Sequence, residues 1–383
     1  MRPSLSLGVE EEFFVVDPTT RALAPGAQVI LDHLADQGLA SGRDYSYDHE
    51  FRASMIESRT PVCRSLGDVR FELERQRSIL IRAALDVGRW IMAAGMAPLA
   101  DWEGQRITPT PRYQQIAQHY QKVAEGLTIC ACHVHVGIAD AESAVQVSNR
   151  VRPWLPALLA LSASSPFGIG RDTGYASYRT MIWAPLPSGG MPDIYRSAAE
   201  YRNLVQALID TGTILDSRQI YWDVRLGDGH DTLEFRIADA ATTIDEAVLQ
   251  AGLCRALAQT CLDEAVSGQV LPDVRPELLR AAKWRAARFG LDDNLIDVLK
   301  AESLPAPALL DRFLAYLRPA LEEAGDWEEV VDLVEGTRRR GTSARRQRQA
   351  FAHTKRLQDV VDLMVNETAS GYSINRPTSD VTV

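Results

Sequence analysis

The sequence of 383 residues lacks several features by which common protein classes are identified. It has no apolar run long enough to span a bilayer, so we do not expect a membrane protein. Its formal net charge of −10 argues against a general nucleic-acid-binding surface. It contains neither a Gly-x-x-x-x-Gly-Lys-Ser/Thr loop nor a convincing Gly-x-Gly-x-x-Gly fingerprint after a strand. These absences exclude a P-loop enzyme and a Rossmann enzyme.

Cysteine is also scarce, and the five residues are scattered along the chain. An odd, scattered set does not suit a framework of disulfides, and it fits a reducing compartment. A strand pattern begins almost at the first residue. We therefore expect a cytoplasmic protein. With 46% hydrophobic and 24% charged residues, the chain can bury a large core, which argues against disorder.

The spacing of apolar residues changes from a period of two to a helical period and back several times. Extended segments are predicted over residues 4–17, 53–59 and 128–138, and a hairpin over residues 221–226 and 232–237. Helix is predicted over residues 68–94, ending at Gly95, and over most of residues 245–368. This order predicts an α+β fold, with a mainly antiparallel sheet covered by helices, in one domain over residues 1–383 whose part from about 245 is mainly helical.

The first strand carries paired carboxylates. Because side chains alternate along a strand, Glu10 and Glu12 share one face, whereas Val9, Phe13 and Val15 share the other. The two carboxylates lie roughly 7 Å apart along the strand, which suits one or two bridging divalent cations and is unfavourable without them. A solvated acidic run is the alternative, but strands are depleted in glutamate and the apolar neighbours indicate burial.

A histidine pair repeats this spacing. His133 and His135 share one face of a predicted strand, and Cys130 and Cys132 lie on the other. A zinc site would need ligands from both faces, which a regular strand forbids, and the spacing matches none of the usual zinc frameworks. A histidine satisfied within a polar core remains an alternative, especially for His135.

Four further charged residues extend the pattern. Glu234 and Arg236 share a face, although a cross-strand ion pair on a solvated sheet is the commoner explanation of a single Glu-x-Arg. Glu50 and Glu57 would lie on opposite faces of a continuous strand, so a bulge or bend between residues 51 and 54 is required if both are ligands. If all these carboxylates converge, they exceed the needs of one Mg²⁺ and suit two or three oxygen-coordinated ions, with ATP as the natural ligand.

Four sequence blocks in this order resemble the glutamate–cysteine ligase type 2 family of ATP-dependent carboxylate–amine ligases. They are Gly-Val-Glu-Glu-Glu at 8–12, Met-Ile-Glu-Ser-Arg-Thr-Pro at 55–61, Cys-His-Val-His-Val-Gly at 132–137, and the stretch at 164–179 that begins Ser-Ser-Pro-Phe and ends Ser-Tyr-Arg. The segments 223–225, 233–236 and 341–347 also match, so the resemblance covers nearly the whole chain.

The resemblance implies a fold similar to glutamine synthetase, in which a curved, mainly antiparallel sheet binds ATP, magnesium and the acid substrate. It implies magnesium ligands at Glu10, Glu12, Glu50, Glu57, His133 and Glu234. It implies a phosphate contact at Arg236, assisted by His135, and catalytic roles for Arg236 and Glu57. It implies substrate binding by Arg171, Tyr178 and Arg179: the two arginines would receive the substrate carboxylates, and Tyr178, with Trp183, would shape the pocket.

The resemblance also implies a reaction: formation of an amide from an acid, an amine and ATP through an acyl phosphate, with glutamate and cysteine as the default pair. One departure is Arg345, which stands in the basic segment 338–348 where the family suggests an acidic residue. A different acid or amine therefore remains open, as do Mn²⁺ in place of Mg²⁺ and a homo-oligomer. A non-catalytic nucleotide-binding regulator and a metal-dependent hydrolase are the competing functions.

Overall fold

A computed structural model describes residues 4–41, 46–101 and 104–370 of the chain. In these residues the strands are β1 (Leu7–Val16), β2 (Ser46–His49), β3 (Met55–Arg59), β4 (Trp90–Met92), β5 (Cys132–Gly137), β6 (Phe167–Gly168), β7 (Arg171–Asp172), β8 (Val224–Leu226), β9 (Thr232–Phe235), β10 (Asn294–Asp297) and β11 (Glu302–Pro305).

The α-helices of the same residues are α1 (Ala27–Asp36), α2 (Leu66–Asp86), α3 (Pro111–Tyr120), α4 (Lys122–Glu125), α5 (Ala141–Val151), α6 (Leu155–Ser162), α7 (Arg179–Trp183), α8 (Ala198–Asp210), α9 (Ile244–Val266), α10 (Pro276–Phe289), α11 (Ala306–Ala324), α12 (Trp327–Arg340), α13 (Ser343–Thr354) and α14 (Leu357–Thr368). None of these helices is long and apolar enough to cross a membrane.

One antiparallel sheet dominates the fold, with strands in the order β2-β3-β1-β5-β9-β8. The short strand β4 pairs with the end of β1 that extends beyond β5. Helices α2, α5 and α9 pack together behind the sheet, and Val9, Val134 and Phe235 contribute to the core that they enclose. The α+β class and the antiparallel sheet covered by helices are thus confirmed.

The central strand is attached to its covering helix by a buried ion pair. Glu11 points away from Glu10 and Glu12, and both of its carboxylate oxygens accept from Arg77 of α2, at 2.6 and 3.0 Å. These two residues are 3% and 1% exposed. Arg77 also donates to the carbonyl of Ala241, just before α9. A buried guanidinium with this many acceptors is satisfied, so it holds the strand rather than opposing the fold.

The helix predicted over residues 68–94 is wrong at its C-terminal end. Helix α2 stops at Asp86, because Gly88 takes a positive φ of 69° that redirects the chain. Residues 90–92 then form β4 at the edge of β1, where all three are buried. The apolar run at this point fits a buried strand and a buried helix equally well, so the period alone could not decide.

From Ile244 onward the described residues are mainly helical, in α9 to α14. A capping box starts α9: the Thr243 hydroxyl accepts from the Glu246 amide, and the Glu246 carboxylate accepts from the Thr243 amide. The exception is the hairpin of β10 and β11, which the sequence analysis did not predict.

Replacing Arg77 with methionine should lower the free energy of unfolding by about 3–5 kcal/mol, because Glu11 then remains as a buried charge without its cation. Arg75→Met is the matched control on the same helix. Arg75 pairs with Glu72 near the surface, so its loss should cost about 1 kcal/mol or less. Urea unfolding of both variants measures the difference, and equal losses would contradict a special role for the buried pair.

Candidate active site

The polar face of the sheet forms the floor of a cavity of about 630 Å³, which we call the acidic cavity. Antiparallel pairing sets the residues of its floor side by side: Glu12 lies opposite Glu57, Glu10 opposite His133, and His135 opposite Glu234. Directly opposed side chains in such pairs are close neighbours. All six predicted metal ligands, together with His135 and Arg236, therefore line one cavity.

These side chains divide into two groups, each with ligand atoms within 4.8 Å of one another. One group is Glu10, His135 and Glu234; the other is Glu12, Glu50 and Glu57. Glu50 joins the second group because the chain reverses between β2 and β3, which pair antiparallel. The break expected between residues 51 and 54 is therefore present, but it is a chain reversal rather than a bulge within one strand.

In the first group, the surroundings favour the charged form of each side chain. Burial raises the pKa of Glu10, but hydrogen bonds and charge interactions with His133 and His135 outweigh burial and hold the pKa well below its ordinary value. Burial acts in the same direction on Glu234, and the Arg236 and Arg225 guanidiniums reverse it, so its pKa is lowered. For His135, the effect of burial is outweighed by Glu10 and Glu234, and its pKa is raised.

The second group has the opposite character. Burial, followed by the charge of Glu50, raises the pKa of Glu12 to about 8. Burial and the charge of Glu10 raise the pKa of Glu57 well above its ordinary value, although Arg59 contacts this carboxylate. Burial also raises the pKa of Glu50. Three adjacent carboxylates that resist ionisation are the arrangement that a divalent cation relieves.

His133 lies between the two groups and is suited to bind a metal. Burial, with the charge of Arg236, lowers its pKa to about 4, so the imidazole is neutral near pH 7. Its Nδ1 lies 3.2 Å from a Glu10 oxygen. Its buried Nε2 has no hydrogen-bond partner among the described residues and lies 3.8 Å from Glu12. If Nδ1 carries the proton, as this contact with Glu10 favours, the free lone pair points toward the carboxylates.

Arginines supply the positive charge of the cavity. Arg236 makes an ion pair with Glu234, and burial is outweighed by that partner, so the pKa of Arg236 is raised. Its buried Nε has no acceptor in the described structure. Arg225 binds Glu234 at 2.7 Å, and Arg59 lies 3.3 Å from Glu10. No role was assigned to Arg59 or Arg225 from the sequence. A signal existed for both: Arg59 lies two residues after Glu57, and Arg225 lies in the matched segment 223–225.

The three residues predicted to bind substrate do not all line the acidic cavity. Arg179 lines the acidic cavity and is buried. Arg171 is exposed on the small hairpin of β6 and β7 and does not line the cavity. Tyr178 packs against the apolar cluster that contains Phe51, also outside the lining. The resemblance named these residues without fixing their directions, and of the three only Arg179 lines the acidic cavity.

Asp239 holds Arg179 in position. This fully buried carboxylate accepts from the Ser164 amide at 2.9 Å, the Ser165 hydroxyl at 2.7 Å and the Ser177 hydroxyl at 2.8 Å. The Arg179 guanidinium lies 3.7 Å away. The stretch 164–179 is thereby fixed beside the end of β9. Sequence analysis missed Asp239 because it lies outside the strand pattern and far from its partners in sequence.

The basic segment 338–348 is largely neutralised within the fold. Arg346 pairs with Glu246 and Glu367, and Arg348 pairs with Asp172. Arg345 itself lies 3.6 Å from Asp292. The positive charge of Arg345 is thus balanced by a carboxylate of the same chain. The basic segment does not line the acidic cavity.

An antiparallel sheet that carries clustered carboxylates, a neutral histidine and buried arginines on one face defines a site of the class that handles metal-bound phosphate groups. The family model described as "Glutamate-cysteine ligase family 2(GCS2)" matches residues 6–367. The chain belongs to this family.

Curated relatives agree over almost the whole chain. A protein of Frankia alni, described as "Putative glutamate--cysteine ligase 2-2", is 40% identical over 374 residues, with 95% of this chain and 97% of the relative covered. A protein of Frankia casuarinae with the same description is 42% identical over 364 residues, but the match covers 95% of this chain and 41% of the relative. The chain thus spans about two fifths of some relatives and nearly all of others.

Solved structures share the fold. The glutamate–cysteine ligase of Francisella tularensis in complex with AMP has a TM-score of 0.70 at 11% identity, covering 98% of this chain and 91% of that one. The bifunctional glutathione synthetase of Pasteurella multocida has a TM-score of 0.66 at 16% identity, covering 96% of this chain and 52% of that one. At these identities the similarity concerns the fold.

Glu12→Gln and Glu57→Gln should each weaken Mn²⁺ binding by at least about tenfold, since even partners outside the direct ligand set are worth this much in metal sites. The free ion can be counted by electron paramagnetic resonance without ATP, so no activity is needed. Asp48→Asn is the matched control, because Asp48 lines the same cavity outside both ligand groups. Equal affinity in the two glutamine variants and the control would remove these residues from the metal site.

Proposed function

We propose that this protein is an ATP-dependent carboxylate–amine ligase, which joins an acid to an amine through an acyl phosphate and releases ADP and phosphate. The observation that carries the proposal is that both ligand groups, His133 and Arg236 line one cavity. Such a floor offers oxygen ligands for cations and a rigid guanidinium fork for phosphate oxygens.

The metal assignment is supported by the donor set. Glu12, Glu50 and Glu57 would hold one ion and Glu10 and Glu234 a second, with His133 between them. The raised pKa values of Glu12, Glu50 and Glu57 fit a group that lacks its counter-charge. When bound, Mg²⁺ or Mn²⁺ would neutralise phosphate oxygens and orient the transferring phosphoryl group. We propose at least two ions, because the ligand atoms form two separate groups.

The chain's own residues would perform three tasks. Arg236 would hold the transferring phosphoryl group, since its planar fork pairs with two oxygens at once. Arg179, fixed by Asp239, would hold a carboxylate of the acid substrate. The buried floor would restrict water, which protects an acyl phosphate from hydrolysis before the amine attacks. Glu57 would assist by fixing its ion beside Arg59, and His135 would keep Glu10 ionised.

Glutamate and cysteine are the proposed default substrates, because the curated relatives carry the name of glutamate–cysteine ligases. A different acid or amine remains compatible with the same floor, which fixes phosphate and metal rather than the side chains of the substrates. The described cysteines are all buried free thiols, which supports the cytoplasm as the proposed compartment. We retain one catalytic domain over residues 1–383 as part of the proposal.

The test is Mg²⁺-dependent release of ADP across a panel of amino and other carboxylic acids, with cysteine, other amino acids and simple amines as acceptors. Mass analysis should reveal one condensed amide, formed in equal amount to ADP, and glutamate with cysteine is the first pair to test. ATP binding without ADP from any pair would favour the regulator, and metal-dependent hydrolysis without ATP would favour the hydrolase. Either result would overturn the ligase.

Arg236→Lys should lower the rate of ADP formation by about 10²–10³-fold, comparable with the loss of one positioned donor in other enzymes. A lysine keeps the charge but loses the two-pronged contact with phosphate oxygens. Steady-state kinetics with the active substrate pair measures the change. Arg339→Lys, on an exposed position of α12, is the control and should behave as wild type. Unchanged turnover in Arg236→Lys would restrict that residue to binding Glu234.

A further inference from the structure

A second cavity, of about 360 Å³, lies on the other side of helix α7. Arg179 and Trp183 of this helix line the acidic cavity, whereas Thr180 and Met181 line the second one. We call it the Arg152 cavity, after the arginine that lines it beside Arg280, Lys283 and Trp284. Its volume falls within the range of pockets that hold small molecules.

Arg152 is the unusual member of this cavity. The residue is only 4% exposed, and its buried Nε has no hydrogen-bond acceptor among the residues that the structure describes. Its ion-pair contact is to Asp193, whose carboxylate lies 4.0 Å away and whose side chain is 83% exposed. Burial lowers the pKa of Arg152, in keeping with weak compensation of its charge. A buried guanidinium is normally surrounded by acceptors, so this one lacks what an anion would provide.

Arg77 shows the contrast within the same chain. That buried guanidinium binds both oxygens of Glu11 and the carbonyls of Ala241 and Thr242. The fold therefore satisfies one deeply buried arginine with internal acceptors, whereas Arg152 lines a cavity, has its ion-pair contact only at 4.0 Å and finds no acceptor for its Nε among the described residues. The difference distinguishes a structural arginine from one available to a ligand.

The remaining lining adds charge and an apolar wall. Arg280 is exposed at the cavity, and the Lys283 ammonium is held by Asp223 at 2.6 Å. Asp193 is the acidic residue of the lining, so cations outnumber carboxylates there. Apolar surface comes from Met181, Met191, Leu279 and Trp284. This lining suits a small ligand that has an anionic group at one end and a short apolar part.

We propose that the Arg152 cavity binds a small organic anion, whose carboxylate or phosphate oxygens accept from the Arg152 guanidinium. The site is distinct from the acidic cavity, because helix α7 separates them and the two lining sets share no residue. The composition also differs, since the acidic cavity combines carboxylates with arginines, whereas cationic side chains predominate in the lining of the Arg152 cavity. A ligand bound here lies against the helix that carries Arg179, and Asp223 connects Lys283 to the amide of Arg236.

The experiment titrates the full chain, without ATP or metal and at constant ionic strength, with inorganic phosphate and separately with succinate. Tryptophan fluorescence reports binding, because Trp284 lines the cavity and its indole donates to Tyr175. A saturable change with either probe is expected, and it should disappear in Trp284→Phe. The probe that binds identifies phosphate or carboxylate as the preferred head group.

Two variants test the assignment independently. Arg152→Gln and Arg280→Glu should each weaken binding by about tenfold or more, as measured by calorimetry. Arg280 is exposed, so its variant keeps the test valid if Arg152→Gln fails to fold. Arg339→Glu is the matched charge reversal outside the cavity and should leave the affinity unchanged.

Arg236→Gln separates this proposal from the ligase proposal, since it alters the acidic cavity alone and should also leave the affinity unchanged. Loss of binding in Arg236→Gln with full binding in Arg280→Glu would overturn the Arg152 site. The absence of saturable binding of both probes to the wild-type chain would overturn it as well. Because no step of the experiment uses catalysis, an inactive ligase would not affect the outcome.

Discussion

The buried ion pair between Glu11 and Arg77 is the contact on which the rest of the site depends. Side chains alternate along β1, so holding Glu11 on the helix side places Glu10 and Glu12 on the opposite side. A shift of one residue would bury the wrong carboxylates and turn Glu11 into the cavity. Arg77 also binds the chain just before α9, so the same guanidinium joins the central strand to two covering helices.

The carboxylates on the polar face of the sheet lie closer together than electrostatics alone would favour, and the surrounding fold keeps them there. Near Glu10 and Glu234, histidines and arginines compensate the negative charge, and both carboxyl pKa values are lowered. Near Glu12 and Glu57, burial and like charges dominate, and both pKa values are raised. A protein can retain such a cluster because strongly packed helices behind the sheet stabilise the fold independently.

Much of the site could be predicted because strand alternation is a local rule. The period of two correctly placed Glu10 with Glu12, and His133 with His135, on one face of their own strands. The family resemblance supplied Glu50 despite its awkward spacing. The resemblance did not distinguish Arg179, which lines the acidic cavity, from Arg171 on the hairpin of β6 and β7 and Tyr178 in the apolar cluster with Phe51. Periodicity failed for β4, whose three buried residues carry no period that distinguishes strand from helix.

The sequence by itself determined which residue types are available and which face of its strand each one occupies, because these depend on neighbours a few positions away. Only the tertiary structure decided which faces meet. The chain reversal that brings Glu50 to Glu57, the register that sets Glu12 beside Glu57, and the packing that gives Asp239 its hydroxyl partners all join distant segments. The burial of Arg152 beside its cavity belongs to the same category. Contacts of this kind follow from how helices and strands pack, which no local spacing encodes.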